Sequence, residues 1–70
     1  MYSSEYQVTG MTCGHCETSI REEVGEVDGV ESVDVSAKTG RLVVRGAEHV
    51  DGADVVAAVS VAGYSAVRVA

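Results

Sequence analysis

Two hydrophobic periods alternate along this chain, and their order limits the folds that it can adopt. Alternating side chains, typical of half-buried strands, occur over residues 4–8, 30–36, 41–45 and 64–69. Between them, residues 14–26 and 51–62 repeat apolar side chains at helical spacing. The predicted order is therefore β-α-β-β-α-β. A ferredoxin-like α+β sandwich satisfies it, with a four-stranded antiparallel sheet and both helices on one face.

The same periods predict which side chains share a face. We expect Tyr6 and Val8 to point inward from the first strand, and Cys16, Ile20 and Val24 to form one stripe of the first helix. The other predicted sets are Val33 with Val35, Leu42 with Val44, Val55 with Val59 and Ala62, and Val67 with Val69. Turn signals separate these elements: Asp28-Gly29, Lys38-Thr39-Gly40, a helix-capping aspartate at 51 or 54, and Gly63 after the second helix.

Length and charge restrict the function further. Seventy residues predict a single domain over 1–70. Eleven acidic against five basic residues give a net charge of −6 without a basic cluster, which argues against nucleic-acid binding. The chain has no apolar run of transmembrane length and no signal-peptide pattern at its start. We therefore expect a cytoplasmic protein that does not insert into membranes and is a monomer in the apo state.

The residues that carry chemistry lie in one short loop, residues 10–16, Gly-Met-Thr-Cys-Gly-His-Cys. It contains the only two cysteines, Cys13 and Cys16, between a predicted strand and a predicted helix. A disulfide at this spacing closes almost no chain and would stabilise little, so a metal or redox site is the better interpretation. A helix N-terminus favours anions and hence the thiolate form that binds metal.

The chain supplies few other ligands for a metal. It has no second C-x-x-C and no paired histidines near the loop, whereas structural zinc is normally bound by four ligands. Soft thiolates suit Cu(I), which accepts two sulfur ligands. A two-sulfur site leaves the ion open to an incoming thiolate, which indicates transfer rather than permanent storage.

These residues resemble a known family. The loop is similar to the G-M-T-C-x-x-C signature of the heavy-metal-associated domain, found in bacterial and eukaryotic copper chaperones and in the N-terminal domains of copper-transporting P-type ATPases. Further similarity lies in Ile20 and Val24, in residues 27–30 (Val-Asp-Gly-Val) and in residues 62–64 (Ala-Gly-Tyr). The resemblance covers nearly the whole chain. It implies a cytosolic Cu(I) metallochaperone that delivers copper to the metal-binding domain of such an ATPase.

The resemblance also implies a role for each loop residue. Cys13 and Cys16 would bind Cu(I), Met11 would pack beneath the loop without binding the metal, and Tyr64 would lie beside the metal as in bacterial chaperones. Zinc- and cadmium-handling relatives often carry an acidic residue where this chain has Thr12, which favours copper here. His15 stays open: it is either solvent-exposed, an accessory third ligand, or a ligand across a copper-bridged dimer.

Three alternatives accompany this interpretation. A thioredoxin-like oxidoreductase would use the same C-x-x-C, but the chain lacks proline, including the cis-proline of such folds, and is short for them. We therefore predict that it is not an enzyme. An excised N-terminal domain of a copper-transporting ATPase, and a zinc, cadmium or mercury carrier of the same fold, both remain open.

Overall fold

The order of elements agrees with the prediction. A computed structural model describes residues 2–11, 14–46 and 49–69. Its elements are β1 (Tyr2–Thr9), α1 (Gly14–Gly25), β2 (Val30–Val35), β3 (Arg41–Gly46), α2 (Gly52–Val61) and β4 (Ser65–Arg68). The predicted bounds differ from these by one or two residues at several ends, most visibly at β1, which begins at Tyr2 rather than Ser4.

The strands form one antiparallel sheet in the order β2-β3-β1-β4. The central strands β1 and β3 pair from Tyr2 opposite Gly46 to Gln7 opposite Arg41. The β2–β3 turn therefore lies at the end of the sheet where β1 leads into the cysteine loop. This arrangement and the βαββαβ order confirm the predicted ferredoxin-like sandwich.

The core lies between the helices and one face of the sheet. Tyr6, Leu42 and Val44 are fully buried on that face, and Val8 is 3% exposed. The remaining buried members of the core come from both helices, the segment before α2 and β4: Ile20, Val24, Val50, Val55, Val59 and Ala66. The helix stripes and the inward faces of β1 and β3 are therefore as predicted. Val33 and Val35 of the edge strand β2 also pack against this core, as predicted, and are half-buried there.

The last strand buries fewer side chains than its apolar sequence suggests. Val67 and Val69 lie on the exposed side, at 67% and 56% exposure, while the smaller Ala66 contacts the core. Val69 lies just beyond β4, and its N–H donates to the Glu5 carbonyl at 2.9 Å. The shared face of the two valines is thus the open face of the sheet, because β4 pairs at the sheet edge and the helices cover the other side.

Helix α2 begins at the first of the two predicted caps. Asp51 is the N-cap, and its side chain accepts a hydrogen bond from the Ala53 N–H at 2.9 Å. Asp54 lies in the first turn instead, where its negative charge interacts favourably with the positive end of the helix dipole. Among the described residues, neither helix has the length and apolar composition required to span a bilayer.

Candidate metal-binding loop

Helix α1 positions one of the two predicted sulfur ligands. Cys16 lies in the first turn of α1 and is only 5% exposed. It begins the stripe that continues with Ile20 and Val24, so the backbone of α1 directs its side chain toward the core. Cys13 and Thr12 lie outside the described residues, and the pairing of Cys13 with Cys16 at a metal therefore stays a prediction.

The start of α1 offers one interaction that favours a thiolate. The first N–H groups of any α-helix have no acceptor within the helix, and the helix dipole concentrates positive charge there. A sulfur in the first turn is close to these groups. The position of Cys16 therefore favours an anionic ligand even though the first turn of α1 has neither lysine nor arginine; the acid in that turn is Glu17.

Met11 follows Gly10 at the start of the loop and packs against the core. Its side chain is half-buried and contacts the buried core between the sheet and the helices. A flexible thioether fills such an irregular space well. Met11 is therefore a packing residue of the core, and its relation to a bound metal stays a prediction.

Tyr64 reaches the same end of the molecule from the other helix. After α2, the Gly63 N–H donates to the Ser60 carbonyl at 3.0 Å and the Tyr64 N–H donates to the Val59 carbonyl at 3.1 Å. These two bonds and the positive φ of Gly63 form a Schellman motif, which turns the chain back toward the sheet. Tyr64 is consequently held at a fixed position at the end of α2.

The ring of Tyr64 lies against Gly10, the residue that opens the loop. A Cβ added to Gly10 would lie 3.3 Å from Tyr64 Cδ1, and the φ of Gly10 is +96°. Only glycine fits both the backbone conformation and this contact without strain. The structure therefore brings the Tyr64 ring to Gly10, at the base of the loop, and the position of Tyr64 beside a metal stays a prediction.

His15 is placed differently from the other loop residues. It is exposed on the first turn of α1, next to the buried Cys16 in sequence but on a different side of the helix. Residues 2–11, 14–46 and 49–69 contain no group of three or more His, Cys, Asp or Glu side chains suited to a metal ion. The imidazole is thus accessible to solvent and to a second molecule.

The structure adds a turn that sequence analysis did not connect with the loop. Residues 36–40 hydrogen-bond to both sides of it: the Val8 N–H donates to the Gly40 carbonyl at 2.7 Å, and the Ala37 N–H donates to the Glu17 carboxylate at 2.6 Å. Gly40 ends the predicted Lys38-Thr39-Gly40 turn, and its φ is +76°, a conformation that glycine adopts readily. No local pattern indicates the pairing of Glu17 with Ala37, because the two are far apart in sequence.

Comparison with known proteins identifies the family. The model of the heavy-metal-associated domain matches residues 5–65. The chain is 38% identical over 63 residues to "Copper chaperone CopZ" of Enterococcus hirae, covering 89% of this chain and 91% of that protein. It is 35% identical over 69 residues to "Copper chaperone CopZ" of Bacillus subtilis, covering 97% and 100%. Among solved structures, a copper binding domain from HMA7, a P-type ATPase, matches with a TM-score of 0.91 and 30% identity, covering 100% of this chain and 96% of that one.

The chain therefore belongs to the heavy-metal-associated domain family, and the resemblance drawn from its loop is confirmed. The match to the copper binding domain from HMA7 covers 100% of this chain and so includes both helices and all four strands.

Proposed function

We propose that this protein carries Cu(I) on Cys13 and Cys16. The observation that supports this most directly is the position of Cys16: a sulfur ligand of the family signature, oriented by the core at the start of α1. Relatives similar to nearly the whole chain are named copper chaperones. Two thiolates at a helix N-terminus suit a soft monovalent ion.

Delivery to an acceptor is a ligand exchange at copper. A thiolate of the acceptor attacks the bound Cu(I) and forms a third Cu–S bond, after which one Cu–S bond to this chain breaks. A second acceptor thiolate then replaces the remaining sulfur. Two Cu–S bonds form and two break, copper stays in the +1 state, and no electron donor or nucleotide is consumed.

We propose a metal-binding domain of a copper-transporting P-type ATPase as the acceptor. This chain matches such a domain in fold at a TM-score of 0.91, so donor and acceptor would present similar loops to each other. The exchange requires reduced thiols, and the cytoplasm maintains them. A chain of this fold that forms part of an ATPase itself is the alternative, in which the same sulfurs receive copper instead of delivering it.

A second alternative concerns the metal. Thiolates also bind Zn(II) and other soft or borderline ions, so a zinc, cadmium or mercury carrier would use the same cysteines. Copper is favoured because Zn(II) prefers four ligands, whereas Cu(I) is satisfied by two sulfurs.

We assign no catalytic turnover to the two cysteines. An insulin-reduction assay should therefore give no activity above the buffer control.

The rate law of copper release tests the carrier mechanism. Protein loaded anaerobically with Cu(I) is mixed with increasing concentrations of dithiothreitol and a fixed concentration of a chromophoric Cu(I) chelator. Formation of the coloured copper–chelator complex is followed by stopped flow, and a sample without dithiothreitol gives the background rate. Associative exchange predicts a rate that rises in proportion to the attacking thiolate. A rate independent of dithiothreitol would mean that copper must dissociate first, which contradicts transfer by ligand exchange.

A further inference from the structure

The turn at residues 36–40, here called the bracket turn, connects the two sides of the cysteine loop. On the β1 side, the Val8 N–H donates to the Gly40 carbonyl at 2.7 Å. On the α1 side, the Glu17 carboxylate accepts from the Ala37 N–H at 2.6 Å. The segment between Val8 and Glu17 contains both cysteines. Its two ends are therefore bound to one short piece of backbone.

Three further hydrogen bonds stabilise the bracket turn. The Ser36 N–H donates to the Arg41 carbonyl at 2.9 Å, and the Gly40 N–H donates to the Ser36 carbonyl at 2.8 Å. The Gln7 side-chain amide donates to the Thr39 carbonyl at 3.2 Å. The bracket turn connects β2 and β3, which pair along their length. The pairing of these strands anchors the turn to the sheet, so the residues bonded to the turn are anchored to the sheet as well.

Glu17 has a different environment from Glu22, which lies further along the same helix. The Glu17 side chain is half-buried and extends across to a backbone N–H of the bracket turn, whereas Glu22 is exposed. A hydrogen bond to a carboxylate is shorter and stronger than one between neutral groups. Glu17 also follows Cys16 directly. This bond consequently ties the turn of α1 that carries the buried sulfur to the bracket turn.

We infer that Glu17 is a positioning residue for Cys16, an inference that rests on the proposed copper function. By fixing the first turn of α1 against the bracket turn, its carboxylate reduces the conformations open to the loop before the metal arrives. Preorganisation of this kind increases affinity because less conformational freedom is lost on binding. Loss of the bond should therefore weaken Cu(I) binding and accelerate release.

The negative charge of Glu17 acts in the opposite direction to positioning, and the comparison of two substitutions separates these effects. A dithiolate complex of Cu(I) is anionic, so a negative charge beside Cys16 would by itself weaken copper binding. Glu17→Ala removes both the acceptor oxygen and the charge, whereas Glu17→Gln retains an acceptor oxygen for the Ala37 N–H and removes only the charge. Positioning predicts that Gln preserves copper retention and Ala does not.

The first measurement uses the apo protein. Amide hydrogen exchange at Ala37, observed by NMR, is compared in the wild type, Glu17→Ala, Glu17→Gln and Glu22→Ala, a matched control on the exposed part of the same helix. Exchange should accelerate about tenfold or more in Glu17→Ala and clearly less in Glu17→Gln. Glu22→Ala should match the wild type. Unchanged exchange in Glu17→Ala would show that the bond is absent in solution and would overturn the inference.

The second measurement follows Cu(I) release from the same four proteins to a chromophoric chelator. Release should be about three- to tenfold faster from Glu17→Ala and close to wild type from Glu17→Gln and Glu22→Ala. Two results would overturn the inference: release from Glu17→Ala at the wild-type rate, or release from Glu17→Gln as fast as from Glu17→Ala. Wild-type protein that binds no Cu(I) would instead refute the proposed function and with it the copper role of Glu17, while the exchange measurement would still report the bond.

Discussion

Two adjacent residues at the start of α1 have opposite environments. Cys16 is 5% exposed and belongs to the buried stripe, whereas His15 is exposed. The helical rotation between neighbouring residues is sufficient to separate them in this way. The sulfur is thus held by packing, while the imidazole has no such constraint. A ligand that the fold does not orient contributes less to affinity, because binding must first order it.

We therefore expect His15→Ala to retain one tightly bound Cu(I) per chain, with affinity within about threefold of the wild type. In the proposed site the two thiolates bind the ion, and the exposed imidazole is not required to complete it. Anaerobic competition with a Cu(I) chelator measures the affinity.

Repeating that titration at several protein concentrations tests the dimer. If His15 bridges copper between two chains, the wild type will bind copper more tightly at high protein concentration and the variant will not. If His15→Ala binds Cu(I) more than about tenfold less tightly than the wild type at low protein concentration, His15 is instead a ligand within the monomer.

At the scale of elements, the β2–β3 turn depends on a glycine that cannot be replaced. A Cβ on Gly40 would lie 2.3 Å from the side-chain nitrogen Nε2 of Gln7 and 2.8 Å from the backbone carbonyl oxygen of Val8. The φ of Gly40 is +76°. We expect Gly40→Ala to lower the free energy of unfolding by about 3 kcal/mol or more. This loss is a large part of the total free energy of unfolding of so small a domain. Urea unfolding of the apo protein, followed by circular dichroism, measures this loss.

Gly63→Ala is the matched control for that substitution. Gly63 also has a positive φ, +99°, but a Cβ added there would meet no atom of the described residues within 4 Å, its chain neighbours aside. The alanine there should cost only about 1 kcal/mol, from backbone strain alone. Equal losses for the two variants would show that crowding at the β2–β3 turn does not contribute.

These elements also show how far the sequence predicts the structure. The helix stripes, the Asp51 cap and the glycine turns follow from patterns within a few residues, and they were predicted closely. Two features were not: the burial of Ala66 in place of its larger neighbour Val67, and the bond between Glu17 and Ala37. Both depend on contacts between segments distant in sequence, which local periodicity does not encode.

The candidate site follows the same division. The cysteine spacing and the family signature predict the metal loop from sequence, and the structure places Tyr64 against Gly10 at the base of that loop. The hydrogen bonds from the bracket turn to Val8 and Glu17 are visible only in the assembled fold. The sequence therefore predicts what the loop binds, while the structure shows what the segments on either side of the loop are bonded to.

For the molecule as a whole, charge is distributed unevenly over the two sides. On the open face of the sheet, Arg41 contacts Glu5 at 3.0 Å and Arg45 pairs with Asp34. Such exposed pairs contribute little to stability, about 0–1 kcal/mol each. Their main effect here is to balance the charge of the sheet, so that much of the net charge of −6 falls elsewhere on the surface.

We propose that the whole fold presents two sulfurs selective for Cu(I), and parallel titrations with Cu(I) and Zn(II) test this selectivity. The wild type, Cys13→Ser and Cys16→Ala are titrated anaerobically with Cu(I) against a chromophoric chelator and, in parallel, with Zn(II) against a zinc indicator. We predict one tight Cu(I) per wild-type chain, much weaker Zn(II), and loss of tight Cu(I) binding in both variants. Zn(II) binding as tight as that of Cu(I), or tight Cu(I) binding that survives either substitution, would contradict this claim.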